Sequence, residues 1–245
     1  MSLLYNELAS WYRMLTPVEE YAEEAAVYLA TFEAALADSA SDPPGTRTLL
    51  ELGCGAGHNA SYLKAAFRCT LTDLSPAMLA LSREINPECD HALGDMRTLR
   101  LDRVFDAVFV HDAVTYMLTE DDLRAAAATA FVHTRPGGVA VFLTDVVKET
   151  FHEDTEHFSG DDGDRSMRCT MWSWDPDPDD TLCCTEFGFL LRENGEVRAV
   201  LDRHIEGVFP EATWERVLAE AGFEVTPRQT PVTGGEMFVC RRRPA

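Results

Sequence analysis

From Arg47 to Val146 short apolar runs alternate with helix-forming segments, and this alternation narrows the architecture more than any other feature of the chain. The run Thr48 to Leu52 passes through three glycines into "GHNASYLKAAF". "CTLTDLS" then reads as a strand, and "PAMLALSREI" as a helix with proline in its first turn. A brief run "HALGD", the strand "VFDAVFVHD", the helix "EDDLRAAAATAFVHT", the turn "RPGG" and the strand "VAVFLTDV" complete the series. Strands joined through helices run parallel and need cover on both faces, which predicts a doubly wound α/β sheet.

The flanks read differently. Glu19 to Ala37 carries strong helix formers with apolar positions at helical spacing, and "DSASDPPGT" then forms a loop. Past Lys148, "HEDTEHFSGDDGD" is acidic and loop-like, while "SMRCTMWSWD", "TLCCTEFGFLLR" and "VRAVLDRHIEGVF" read as strands. Asn194-Gly195 between the last two is a strong hairpin signal. The helix "ATWERVLAEAGF" and the runs "EVTPRQ" and "EMFVCR" return to the main sheet as an antiparallel pair. The expected organisation is an N-terminal helical cap (1–46), a main domain (47–150 with 210–245) and an antiparallel β insertion (151–209) after strand five.

Composition limits the partners. Forty-two acidic against 21 basic residues give a net charge of −21 in 245 residues, which opposes nucleic acid or an anionic membrane surface as partner. The acidity suits either a cationic substrate or plain solubility. No apolar stretch is long enough to span a bilayer, and the N-terminus lacks a basic flank and a cleavage site. Seven cysteines occur with no CxxC pair, as expected of ordinary thiols in a reducing compartment, so the expected location is the cytoplasm. His152 and His157 with their acidic neighbours lack a metal-binding spacing, and "DDGD" lacks the terminal glutamate of a calcium loop.

The glycine loop "LELGCGAGHN" carries the chemistry. A dinucleotide fingerprint from Gly53 and Gly55 needs a third glycine at position 58, which is His58; the third glycine here is Gly57. The tight spacing admits a ligand close to the backbone, and the helix that follows offers N–H groups to a carboxylate. Glu51, just before the loop, would repel a pyrophosphate and attract an ammonium group. Asp73, at the end of the next strand, is placed for ribose hydroxyls in either cofactor class. Asp95 ends the third strand within reach of an adenine amino group, beside the polarizable Met96.

In "LLELGCGAG", "LTDLSPAML", "GDM", "FDAVFVHDAVTYM" and "TRPGGVAVF" the chain resembles the class I S-adenosylmethionine-dependent methyltransferases. The likeness is strong from Thr48 to Asp145 and weaker in "FPEATWERVLAEAGFEV". It implies a Rossmann-like sheet of seven strands, the last antiparallel. It further implies that the loop Gly53-Cys54-Gly55-Ala56-Gly57, with Glu51, holds the methionine part of S-adenosylmethionine. Asp73 and Leu74 would then meet the ribose, Asp95 and Met96 the adenine, and His111 the sulfonium end. "YNELASWYRML" is similar to the family's capping helix, with Tyr5, Trp11 and Tyr12 as lid aromatics; core packing is the rival reading.

Methyl transfer from a sulfonium needs alignment and exclusion of water, and a base only where the nucleophile carries a proton. His111, His204 and Tyr116 are the candidates for base or substrate anchor. Trp172, Trp174, Phe187 and Phe189 either line an acceptor pocket or fill the core beneath it. The insertion resembles small-molecule N-methyltransferases of the amino-sugar and glycine types. The acceptor is then a small molecule, most simply an amine, and a homodimer is a compatible assembly. Open alternatives are an O-methyltransferase, a non-catalytic cofactor-binding module, and a NAD-type oxidoreductase, the last opposed by His58 and Glu51.

Overall fold

The computed structural model describes residues 2–37 and 46–244. The loop expected in "DSASDPPGT" lies, apart from Thr46, outside the described residues. The chain opens on a 3-10 turn, Ala9–Trp11, followed by the short helix α1 (Tyr12–Leu15); a second 3-10 turn, Val18–Tyr21, leads into α2 (Ala22–Ala35). Then come β1 (Thr48–Leu52), α3 (His58–Leu63), β2 (Arg68–Asp73), α4 (Pro76–Ile85), β3 (Asp90–Leu93), β4 (Phe105–His111), α5 (Glu120–His133) and β5 (Thr134–Thr144). Four consecutive strands follow, β6 (Asp154–Asp162), β7 (Arg165–Trp174), β8 (Leu182–Glu193) and β9 (Glu196–Gly207). The chain closes with α6 (Glu211–Glu220), β10 (Glu224–Val225) and β11 (Glu236–Arg241).

Seven strands form one sheet in the order β10-β11-β5-β4-β1-β2-β3, in which β11 runs antiparallel to β5. This is the doubly wound sheet with an antiparallel last strand. Its central strands are buried on both faces, so alternate residues enter different cores. Leu50, Val108, Val110 and Phe142 pack with Trp214 and Leu218 of α6; Leu49, Phe109 and Val141 pack with Tyr28 and Phe32 of α2. Helix starts follow local chemistry. The Ser75 hydroxyl accepts the Met78 N–H ahead of Pro76, and the Thr119 hydroxyl accepts the Asp122 N–H.

The other four strands form a separate antiparallel sheet, β6-β7-β8-β9. Asn194 and Gly195 both have positive φ (54° and 81°), the backbone that a tight two-residue hairpin requires. Two sequence expectations are corrected. "HEDTEHFSGDDGD" is mostly strand: β6 pairs with β7 from Asp154 to Asp162, and only Gly163 and Asp164 turn the chain. Main-chain pairing holds this edge strand, so its acids need no apolar partner. "RPGG" is not a turn but the irregular start of β5, where Gly138 passes close to the Asp106 carbonyl.

The N-terminal segment lies between the sheets. Leu4, Leu8, Trp11 and Leu15 pack on Met167, Cys169, Phe187, Phe189 and Leu191 from one face of the four-stranded sheet. Ala9 meets Ala56 and Met78 of the other sheet's loop and helix. No helix among the described residues is long and apolar enough to cross a membrane.

Candidate functional site

The carboxyl ends of β1 to β5, the inner face of the four-stranded sheet and the N-terminal segment enclose a cavity of about 870 Å³. Open α/β sheets bind ligands at these strand ends. Tyr12, Glu51, Gly53, Cys54, Gly55, Asp73, Leu74, Asp95, Met96, His111 and Tyr116 all line it. Gly57, His204 and Trp11, also expected at the site, do not.

The glycines differ in what they do. All three have positive φ. A Cβ on Gly53 would fall 2.3 Å from the Ala113 Cβ, and one on Gly57 would fall 2.4 Å from the Ser82 hydroxyl. Gly55 meets nothing nearer than 3.8 Å and borders the cavity. Gly57 packs under the loop against Ser82 and Asn86 and does not border the cavity. Gly57→Ala combines a clash with an unfavourable φ and is expected to destabilise the fold by about 2–4 kcal/mol, read from denaturant unfolding.

Glu51 is 3% exposed, and its Oε2 has no hydrogen-bond partner. Burial, then the neighbouring Cys89, Asp73 and Glu24, push its carboxyl up to about 8. The Asp73 carboxylate accepts the Gly55 and Ser75 N–H groups, each at 2.8 Å, which fixes it against the loop. Asp95 departs from expectation. Its oxygens are clasped by the Arg97 guanidinium at 2.6 to 3.1 Å, and Arg97 also reaches Asp122 at 2.9 Å. An adenine amino group there would share an already engaged carboxylate.

At the end of β4, His111 is held from both ring nitrogens. Nε2 lies 3.1 Å from the Tyr28 hydroxyl and 3.6 Å from Glu24, and Nδ1 lies 3.2 Å from Asp112. Burial lowers its pKa, against the opposing pull of Glu24 and Asp145. Asp112 has φ 46°, an uncommon backbone for a non-glycine residue. Asp145, just beyond β5, approaches it. Burial, then Glu24 and Glu206, push Asp112 up to about 7, and the Asp112 charge and then burial push Asp145 to about 7. Both carboxyls are open to the cavity.

His204 stands behind the cavity wall, 2% exposed. Its Nδ1 lies 2.6 Å from the Tyr116 hydroxyl, which is 3.0 Å from the Tyr5 hydroxyl; its Nε2 lies 3.1 Å from Asp202. Asp202 also accepts the Leu4 N–H at 2.7 Å. His204 thus does not border the cavity itself but contacts Tyr116, which does. Trp11 is buried under the Arg165 guanidinium, 3.9 Å from its ring, and is no lid aromatic. Trp172 and Trp174 sit on the outer face of β7, while Phe187 lines the cavity and Phe189 lies in the core.

The sequence from Leu49 to Gly138 matches a family model described as a methyltransferase domain. Across 202 residues the chain is 30% identical to the dTDP-3-amino-3,4,6-trideoxy-alpha-D-glucopyranose N,N-dimethyltransferase of Streptomyces venezuelae, covering 81% of this chain and 84% of that one. The chain belongs to the class I S-adenosylmethionine-dependent methyltransferases. Solved methyltransferase structures agree. DesVI of Streptomyces venezuelae superposes with a TM-score of 0.82 at 25% identity over 98% of both chains. The S-adenosylmethionine-bound amino-pentose methyltransferase of Micromonospora echinaspora, from calicheamicin biosynthesis, gives 0.80 at 27% over 97% of both.

Sequence reasoning missed several cavity residues of this methyltransferase: Arg97, Asp145, Ser173, Thr185 and Glu206. One signal was present. Asp202, His204 and Glu206 alternate along β9, and in register with Phe187, Thr185 and Cys183 they share that sheet's inner face.

Proposed function

We propose that this methyltransferase transfers a methyl group to the nitrogen of a small amine, of the amino-sugar class. One observation carries the reading: beyond the glycine loop, the cavity presents the carboxyls of Asp112, Asp145 and Glu206, each raised above its ordinary value. Carboxyls in that state hold an ammonium group by charge and take its proton near neutral pH. The curated relative of Streptomyces venezuelae is an amino-sugar N,N-dimethyltransferase by name, which agrees with this choice.

The chain fits the cofactor its family uses. The unpartnered Oε2 of Glu51 is a place for an ammonium group, and the open side of Gly55 admits a ligand against the backbone. Glu51, Gly53, Cys54 and Gly55 would hold the amino-acid end, Asp73 and Leu74 the ribose, and Asp95, Met96 and Arg97 the purine edge. S-adenosylmethionine bound there supplies a methyl group already activated on a sulfonium.

The protein's task is then positional. His111, fixed by Tyr28 and Asp112, orients the reactive end rather than moving a proton. Tyr116, held by His204 and Tyr5, offers its hydroxyl to the acceptor. Asp145 and Asp112 take the proton that the acceptor nitrogen must lose and pass it to cavity water. Tyr5 and Tyr12 close the cavity from the N-terminal side and keep bulk water away.

A panel of primary amines, amino sugars, phenols and alcohols, incubated with S-adenosylmethionine and followed by S-adenosylhomocysteine release, tests the reading. Turnover is expected with amines, and turnover confined to hydroxyl acceptors overturns it. Tyr116→Phe is expected to lower kcat/KM for the amine by about 10-fold through loss of one oriented hydroxyl.

A further inference from the structure

The described residues that line the cavity are unevenly charged. On the side facing the four-stranded sheet, Asp145, Asp154, Glu156 and Glu206 border it, and no lysine or arginine does. The one arginine among the lining residues, Arg97, lies at the β3 end and is spent on Asp95 and Asp122. Three cations on elements near the cavity are engaged as well. Lys148 pairs with Asp175 at 2.9 Å, Arg165 with Glu193 at 3.2 Å, and Arg13 with Glu84 at 2.9 Å.

Apart from the imidazole of His152, what that side offers is neutral or negative. The Ser173 and Thr185 hydroxyls lie 2.9 Å apart, and Thr185 donates to Glu206 at 2.8 Å, a row suited to hydroxyl groups beside a cation. A diphosphate needs cationic side chains or free N–H groups. Here the N–H groups along β7 and β8 are committed to strand pairing, and the cavity edge of β6 carries acids. Like charges brought together without compensation are strongly selected against.

We infer that the acceptor is a cationic, hydroxyl-bearing amine without phosphate, such as an amino sugar joined as a glycoside. It is therefore distinct from the nucleotide-linked amino sugar for which the Streptomyces venezuelae relative is named. The inference rests on the amine reading above and narrows it.

The test uses one sugar in two forms, methyl 3-amino-3,6-dideoxy-alpha-D-glucopyranoside and dTDP-3-amino-3,6-dideoxy-alpha-D-glucopyranose, the full-length protein and S-adenosylmethionine. S-adenosylhomocysteine release and the mass of the sugar product are followed. The glycoside is expected to have a kcat/KM at least about 100-fold higher. dTDP alone, titrated by calorimetry into protein saturated with S-adenosylhomocysteine, is expected to show no binding at millimolar concentration. Equal or better use of the dTDP form overturns the inference and leaves the amine reading standing. Methylation of neither form, with cofactor binding intact, overturns both. In the variant Asp154→Lys/Glu156→Lys, preference is expected to shift toward the dTDP form by about 10-fold or more; an unchanged ratio counts against the inference.

Discussion

Glu51→Gln is expected to weaken S-adenosylmethionine binding by about 100-fold while raising the melting temperature of the free protein by about 3–8 °C at pH 8. The two effects have one cause. In the unfolded chain Glu51 ionises around its ordinary value of 4.5, whereas in the fold it resists ionisation up to about 8. A raised carboxyl pKa means that the free protein loses stability as pH climbs from about 4.5 to 8, and loses no more above that. Glutamine has no ionisation to suppress, so its advantage vanishes near pH 4.5 and is largest at pH 8. Binding reverses the balance, because an ammonium group at Oε2 draws the proton off. Calorimetry in buffers of different ionisation enthalpy is expected to show nearly one proton released at pH 7 by the wild type and none by the variant. Equal proton release from both would remove Glu51 from the ammonium site.

Asp145→Asn is expected to lower kcat/KM for an amine by about 100- to 1,000-fold, with cofactor affinity changed by no more than a few-fold. The Asp112 charge raises Asp145, whereas a hydrogen bond from Asp145 lowers Asp112, and a coupled pair titrates in steps that belong to both. Both are pushed to about 7, so their proton-accepting form is lost as pH falls through 7 and activity falls with it. The variant lacks the Asp145 carboxyl whose hydrogen bond lowers Asp112. The remaining carboxyl, raised by burial, Glu24 and Glu206, then ionises at higher pH, and the acidic limb of the pH profile moves up. An unshifted profile would show that the limb belongs to the substrate amine rather than to the pair.

The parts of the molecule that were legible in the sequence are those fixed by local periodicity. Thr48 to Leu52 and Phe105 to His111 are apolar runs because both faces of the central sheet are covered, and Asn194-Gly195 dictates its own turn. β6 was illegible because its inward positions, Asp154 and Glu156, face a water-accessible cavity; Phe158 alone hints at a buried face. Trp172 and Trp174 show a second limit. They share a parity in β7, but only the pairing with β8 decides which parity faces inward, and a one-residue slip would exchange them with Met171 and Ser173.

The site divided in the same way. Glu51, Asp73 and Asp95 were legible because each sits beside a strand end in a regular series. Asp145 occupies an equivalent place after β5 and was missed because no glycine or turn signal marks it. Arg97 escaped because its importance lies in a clasp on Asp95 two residues away, which no periodicity reports. The contact of His204 with Tyr116 was illegible because the two lie far apart in sequence.

The most direct test of amine methylation in this cavity uses S-adenosylmethionine carrying a 13C-labelled methyl group and an amino sugar with free hydroxyls. One carbon-13 spectrum of the product distinguishes N-methyl from O-methyl by chemical shift. A single N-methyl resonance is expected, formed in equal amount with S-adenosylhomocysteine and lost in Asp145→Asn at neutral pH. An O-methyl resonance, with the amine left unmodified, would contradict it.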